Sequence, residues 1–358
     1  MKRTAIIRII SRRVLSLVPF FVFRTLRGSL GYVNIFVFCL VIDISPCCAQ
    51  GYFSTMFLNC ENAFDIQHDD GKNDYSFLPD GEHHWTRYRF FSKLKGIAKT
   101  IAAVDEHQPV SLVGLCEVEN DTVLTYLTEN TMLHRMGYKY VITHSDDPRG
   151  MNVALLYQPY LFSVIDAPKS IRPQSLTKPT RDVLRVCGRL MTGDTLYVYV
   201  CHLPSKLGGG EAEENRNRIA AAVCDDVDSI LHLSPEAYII VMGDFNSNGT
   251  SSLVRQLKSL SFVDLTDGHE YGSYKYHGEW SFLDHILVSS TFLHDGSTLR
   301  ASHDDFGVLF SSFFLEIDKK YGGKKPRRTY RWTTYNGGVS DHLPIWMKIR
   351  VSPVTTSK

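Results

Sequence analysis

From Tyr52 onward, short apolar runs alternate with longer amphipathic stretches, and many of the runs stop at a polar residue. YFSTMFLN (52–59), SLVGLCEV (111–118), YKYVITH (138–144), NVALLYQ (152–158) and LFSVIDA (161–167) read as strands, being short, rich in β-formers and bounded by polar residues. LRVCGRLM and LYVYVCHL form a strand pair around a turn at Gly193-Asp194, and Ile239–Met242 is a continuous apolar run of the buried-strand kind. Later strands are expected at Tyr274–Tyr276, Ser281–Val288 and Ile345–Val351. RFFSKLKGIAKTIAAV (89–104) carries a helical apolar stripe, a polar helix is expected after the 111–118 strand through Leu133, and a third runs from about Glu211 to Leu231. Many strands, hairpins and a few long helices predict α/β layers with mixed sheets. No linker divides residues 51–352, so they read as one catalytic-size domain followed by a tail at 353–358.

The first fifty residues follow another pattern. Basic residues are scattered from Lys2 to Arg27, no acidic residue precedes Asp43, and VNIFVFCLVI (33–42) is an apolar run followed by DISPCCAQ. A basic start, an apolar stretch of that length and small residues before Gln50 describe a secretory signal cleaved after Ala49. Its long basic region also admits a retained anchor. Cys47 and Cys48 admit a lipoprotein, which Pro46 fits poorly. The expected location is therefore outside the cytoplasm: periplasmic, extracellular or anchored at the N-terminus.

Composition changes little in this picture. At 358 residues, 44% hydrophobic and net charge +1, the chain is ordinary globular protein, so any nucleic-acid contact must come from a local patch. Cys60, Cys116, Cys187, Cys201 and Cys224 follow the cleavage point, with neither zinc spacing nor a disulfide framework. No obligate protein partner is evident.

The chemistry is concentrated where the apolar runs stop. IIVMGDFNS (239–247) ends a strand with Asp244 and Asn246, which alternation places on one side while Phe245 turns back into the core. Asp and Asn also cap strands through Asx turns, and this stretch alone supports either reading. The motif recurs, however. Asn59 and Glu61 end the first strand, Glu117 follows four apolar residues, and His202 ends VYVCH. Asp284 interrupts WSFLDHILVS, and Asp341-His342 precedes the last strand. Ligands gather beyond strand ends in open α/β sheets, and carboxylates with few thiols suit a hard cation such as Mg²⁺.

GDFN and SDHLP in this order, preceded by the Glu and His strand ends, resemble the endonuclease/exonuclease/phosphatase family over roughly residues 52–351. RGMNVALLYQP, PTRDVLRV and YHGEWSFLDHILVS are similar to its exported bacterial branch. The resemblance implies a four-layer α/β sandwich, two mixed sheets packed face to face with helices outside, and a metal-dependent phosphodiesterase using Mg²⁺, with Mn²⁺ as the alternative. It implies that Glu117 ligates the cation with help from Asn59, and that Asp244 aligns and deprotonates the attacking water. Asn246 would hold a phosphate oxygen, and His202 and His342 would donate to the developing charge. Asp284 would orient an imidazole, and Asp341 would support His342 or the metal. Arg149 and Arg181 are second-tier candidates for clamping substrate phosphate through a planar fork.

The basic run KKYGGKKPRRTYRW (319–332), interleaved with aromatics, is the one concentrated positive patch. It suits a nucleic-acid backbone with stacked bases, and so favours an exported endonuclease. Anionic phospholipid or an inositol phosphate is the alternative substrate, and a non-catalytic binding module the minor one.

Overall fold

The computed structural model describes residues 17–28, 31–42, 51–173 and 175–352. The cleavage point after Ala49, the Cys47-Cys48 pair and the tail 353–358 lie outside them. Contacts divide the chain into Met1–Gly51 and Tyr52–Lys358. In the first unit, Leu17–Gly28 pairs antiparallel with Gly31–Ile42.

In the second unit most of the strands assemble into two seven-stranded sheets. One runs Leu299–Arg300, Ile345–Val351, Tyr52–Ala63, Leu112–Val118, Asn152–Tyr157, Lys139–Ile142, with Phe306–Val308 also paired to Ile345–Val351. The other runs Phe262–Asp264, Asp284–Ser289, Tyr238–Asp244, Thr195–His202, Val183–Leu190, Phe162–Val164, with Lys169–Ile171 also on Val183–Leu190.

Alternation along the strands builds the layers. Ile240 and Met242 point between the sheets and pack with Phe57, Cys116, Val153, Leu155, Val198 and Val200. Ile239 and Val241 point the other way, beneath Ile219, Val223 and Val227 of the helix Gly209–Leu233 and Leu253 and Leu257 of the helix Ser252–Ser259. The first sheet is covered likewise, Met56, Leu58, Val113 and Leu115 packing under Leu94, Ile97 and Ile101 of the helix Arg87–Val104 and under Leu124 and Leu127 of Asp121–Glu129. Both faces of each central strand are buried, which is why 239–242 is continuously apolar rather than alternating. The result is the expected four-layer sandwich.

Two central pairs are parallel. Tyr52–Ala63 runs with Leu112–Val118, matching Asn59 to Cys116. Thr195–His202 runs with Tyr238–Asp244, matching His202 to Asp244. Parallel strands finish at the same edge, so their terminal polar residues are brought together by register alone.

Two expectations are corrected. The helix after the second strand of the first sheet stops at Glu129, not Leu133, because Thr131 donates to the Leu127 carbonyl and caps a separate 3-10 turn, Met132–Met136, by accepting from Leu133 N–H. The segment expected as one strand over 281–288 is divided: Glu279–Ser281 folds back on Tyr274–Tyr276, and Asp284 opens a new strand paired antiparallel with Asp244. Asp284 therefore begins a strand instead of interrupting one.

Gly243 is required by this packing. A Cβ there would lie 2.3 Å from the backbone oxygen of Cys201 on the neighbouring strand. Gly243→Ala should part the strands carrying His202 and Asp244, costing about 1–3 kcal/mol as overpacking does, and lowering activity further than stability. Thermal melting and turnover measured on the same variant check this.

Candidate active site

Two bulges shape the polar edge of the first sheet. The register between its parallel strands shifts after Asn59, and that between Leu112–Val118 and Asn152–Tyr157 shifts between Cys116 and Val118. Glu61, Asn62 and Glu117 all adopt left-handed backbone, with φ of 47°, 61° and 55°. Such φ is uncommon for residues with side chains and clusters where geometry serves function. Here it turns Glu117 out of the ladder: Asn62 N–H donates to Oε2 at 2.9 Å, while Oε1 accepts from Asn59 Nδ2 at 3.1 Å.

The same Asn59 nitrogen donates to Asp244 Oδ2 at 3.1 Å, across to the second sheet. Around that oxygen the histidines converge, His202 Nε2 at 3.8 Å and His342 Nε2 at 4.0 Å. His202 Nε2 also stands 3.8 Å from Glu117 Oε1. Asp284 anchors His342 by its other nitrogen, Nδ1 to Oδ2 at 2.7 Å, and Ser273 Oγ donates to the same carboxylate oxygen. Ser340 Oγ donates to the Asn59 carbonyl and accepts from His342 N–H, tying the loop before the last strand to the end of the first.

Charge separates the two imidazoles. Burial lowers the His202 pKa well below its ordinary value, and the Arg181 and Arg149 guanidiniums lower it further. His202 is therefore neutral, and 3.8 Å is too long for a hydrogen bond, so its approaches to Glu117 and Asp244 are not ion pairs. Burial also works against the His342 imidazolium, but Asp284 and Asp244 outweigh it and hold the pKa well above the ordinary value. For Asp244, burial dominates and its carboxyl is pushed up to about 7. The site thus pairs a proton-holding imidazolium with a carboxylate poised near neutrality, the division of labour that acid–base catalysis needs.

Asn246 is partly the turn residue that the bland reading describes. Its N–H donates to Asp244 Oδ1 at 2.8 Å, an Asx turn. The strand ends at Asp244 and Asn246 has φ 49°, so alternation does not govern where Asn246 points. Its Nδ2 donates to the Leu203 carbonyl at 2.9 Å, and Phe245 is buried against the His285 ring as expected. Asp244 is a cap through Oδ1 and faces the cluster through Oδ2.

Asp341 is held by Arg328 at 2.8 Å, and Arg328 Nε donates to Glu61 Oε1. Arg149 and Arg181 meet on Asp147, at 3.5 and 3.4 Å, and Arg181 also donates to the Leu203 carbonyl at 2.7 Å. Both therefore flank His202. Ser273, Asp147 and buried Lys93, which donates to the carbonyls of Glu61 and Val339, went unread in the sequence, and Arg328 was read only as part of the basic run 319–332. None ends an apolar run, and each is joined to the site by contacts that follow no periodic pattern in the chain.

The donor set fits a hard cation. Glu117 and Asp244 offer carboxylate oxygens on either side of one amide nitrogen. As placed, Asn59 reaches that point with Nδ2 while Oδ1 accepts from Glu61 N–H, so ligation by its oxygen needs the opposite amide orientation. Burial pushes the pKa of the neighbouring Cys116 thiol well above its ordinary value, and a protonated thiol is no ligand.

With this geometry in place, relationships to known proteins become specific. The profile of the Endonuclease/Exonuclease/phosphatase family matches residues 54–351. The chain belongs to this family. Its members hydrolyse phosphate esters and are typically dependent on divalent metal. No curated protein matches the chain. Among solved structures, an endonuclease/exonuclease/phosphatase family protein from Bacteroides thetaiotaomicron is 16% identical, covering 85% of this chain and 99% of that one, with a TM-score of 0.55. A mannosyl-6-phosphatase of the same organism is 17% identical over 84% of this chain and 100% of its own, with a TM-score of 0.52. TDP2 of D. rerio complexed with single-strand DNA product is 14% identical over 83% and 98%, also with a TM-score of 0.52. At these identities the likenesses establish the shared sandwich alone.

The Asp284–His342 pair gives a signed pH test of this family site. A raised folded pKa means that the imidazolium stabilises the fold fully below the unfolded value of 6.5 and ceases to as pH climbs through the folded one. In chelator-treated protein, wild type should lose melting temperature relative to Asp284→Asn as pH rises above 6.5, the gap between the two being widest below it. Parallel melting curves across that range measure it, and a gap constant with pH refutes the charge assignment.

Proposed function

We propose that this phosphoesterase is a Mg²⁺-dependent phosphodiesterase acting on nucleic acid outside the cytoplasm. The observation that carries the chemistry is the approach of His202 and His342 to one oxygen of Asp244, with Glu117 beside His202 and Asn59 bridging the sheets. Glu117 and Asn59 would hold the cation at the sheet edge, with Asp341 nearby. A divalent cation there supplies positive charge to the phosphate oxygens. Asp244 takes the proton of the attacking water, because a carboxyl near neutrality is a competent base. His342, kept protonated by Asp284, protonates the departing oxygen. Neutral His202 donates a hydrogen bond to the developing charge, and Asn246 steadies a phosphate oxygen. Arg149 and Arg181 present planar forks beside His202.

For the substrate, the support lies on the rim. Trp332 is 95% exposed, and Tyr276 and Tyr321 are exposed beside Lys320 and Lys325 in a groove that reaches Arg328 and Asp341. Exposed aromatic faces next to cations are what stacked bases and phosphates use. A second reading has its own observation. Arg328 is paired with Glu61 and Asp341, and Arg331 and Lys325 with Glu316, so much of the basic run is neutralised locally. That favours a compact phosphate ester such as a phosphosugar, an inositol phosphate or a phospholipid headgroup. Export is supported by the basic and apolar start of the chain.

Purified protein with Mg²⁺, offered plasmid DNA, RNA, sphingomyelin, inositol phosphates and mannose 6-phosphate in parallel, decides the substrate. Nucleic acid should be cleaved fastest, and a preference for any of the others by tenfold or more removes that reading. Chelation should abolish turnover, and readdition of Mg²⁺ should restore it.

Asp244→Asn separates base from cap. Asn turns the chain about as well as Asp, so a residue that only caps would tolerate the exchange. Loss of a general base costs on the order of 10² to 10⁴ in rate. Turnover should therefore collapse while the variant remains folded, and near-normal turnover would reduce Asp244 to a turn residue.

A further inference from the structure

We infer that the enzyme carries a second anion-binding subsite, adjoining the catalytic cluster, that takes a second phosphate of the same substrate. It is a hollow of about 630 Å³ between the segment after His202, the start of the helix Gly209–Leu233 and the loop and helix that follow Asn246. This inference rests on the phosphodiesterase reading for its substrate, but the site itself stands on separate residues.

Its lining is cationic. Lys206, Arg216 and Arg255 face it, and Glu213 is the one acidic residue among those lining it. Lys206 and Arg255 are exposed and make no side-chain hydrogen bond or ion pair among the described residues. Arg216 donates by one nitrogen to the Pro204 carbonyl, fixing its guanidinium at the mouth. This differs from the 319–332 run, where Arg328 and Arg331 are taken up by acidic partners and Arg327 by the Asn336 carbonyl. Here positive charge is left for something else.

The floor adds polar groups that point to a ligand. The helix Ser252–Ser259 starts at the hollow; Ser251 Oγ accepts from Val254 N–H, which leaves the N–H groups of Ser252 and Leu253 without an intrahelical partner. Ser247 lines the same hollow, is 7% exposed, and its Oγ has no hydrogen-bond partner. An unpaired buried hydroxyl is costly, and this one lies in a residue that lines the hollow. The subsite also shares its walls with the cluster. Ser247 follows Asn246, Leu203 follows His202, and the Leu203 carbonyl accepts from both Asn246 and Arg181. A substrate whose scissile phosphate sits at His202 and Asp244 has its next anionic group within reach of this hollow. A chain of phosphates supplies such a group, and a simple phosphosugar does not.

The test uses the full chain and two measurements. Inorganic phosphate is titrated calorimetrically into chelator-treated wild type and Lys206→Met/Arg255→Met, both exposed positions whose exchange leaves the core intact. Charged hydrogen bonds to phosphate are worth about tenfold or more in affinity, so the variant should bind phosphate at least about tenfold more weakly. In parallel, the ratio of kcat/KM for an oligonucleotide to that for bis(p-nitrophenyl) phosphate, which lacks a second phosphate, should fall at least about tenfold, through KM. Equal phosphate affinity in the two proteins, or no binding by wild type, overturns the subsite. A ratio unchanged on a cleaved oligonucleotide overturns its role in substrate binding. Weakened phosphate binding with no oligonucleotide cleavage by either protein supports the anion site and removes the nucleic-acid reading instead.

Discussion

One amide nitrogen joins the two sheets at their reactive edge. Asn59 Nδ2 donates to Glu117 on its own sheet and to Asp244 on the other, each at 3.1 Å. Everything else at the site answers the electrostatic problem this creates. Two carboxylates gathered on one donor at a buried edge repel each other, and Asp284 adds a third nearby. Burial raises the Asp244 carboxyl, the imidazolium of His342 partly offsets that, and a cation between Glu117 and Asp244 would complete the compensation. Carboxylates gathered so closely suit a divalent cation, on which members of the family typically depend.

The fold supplies this convergence through strand direction rather than through loops. His202 and Asp244 are in register because their strands are parallel, and Asn59 and Cys116 likewise in the other sheet. Antiparallel neighbours bring the opposite ends, which is why Asp284 and the Asp341-His342 pair precede their strands while the others close theirs. Functional side chains thus stand on elements whose positions are fixed by two buried faces each. The strain needed to aim them is confined to short stretches, the left-handed Glu61-Asn62 and Glu117 in the two bulges and Asn246 just beyond its strand.

This explains what could be read from the sequence. Strands ending in polar residues are a local signal, visible because burial on both faces makes the run before the end continuously apolar. Asn59, Glu117, His202, Asp244 and His342 were legible for that reason, and so was the sandwich. Ser273, Asp147 and Lys93 were not, since their contacts with Asp284, the two arginines and Glu61 follow no periodic pattern in the chain. Alternation misled at Asn246, where the backbone leaves the strand. It misled again over 281–288, where a hairpin between Tyr274–Tyr276 and Glu279–Ser281 intervenes and pairing with Asp244 starts a new strand.

The distribution of unpaired cations narrows what such a site can hold. Around the catalytic cluster nearly every guanidinium is committed: Arg181 and Arg149 to Asp147, and Arg328 to Glu61 and Asp341. Paired charges of this kind orient ligands more than they attract them, because their fields largely cancel beyond the pair. Attraction has to come from charges with no partner, and Lys206 and Arg255 are two such charges, on the far side of the turns carrying His202 and Asn246. A substrate drawn by them and aligned by the arginines would have attraction and orientation supplied by different residues.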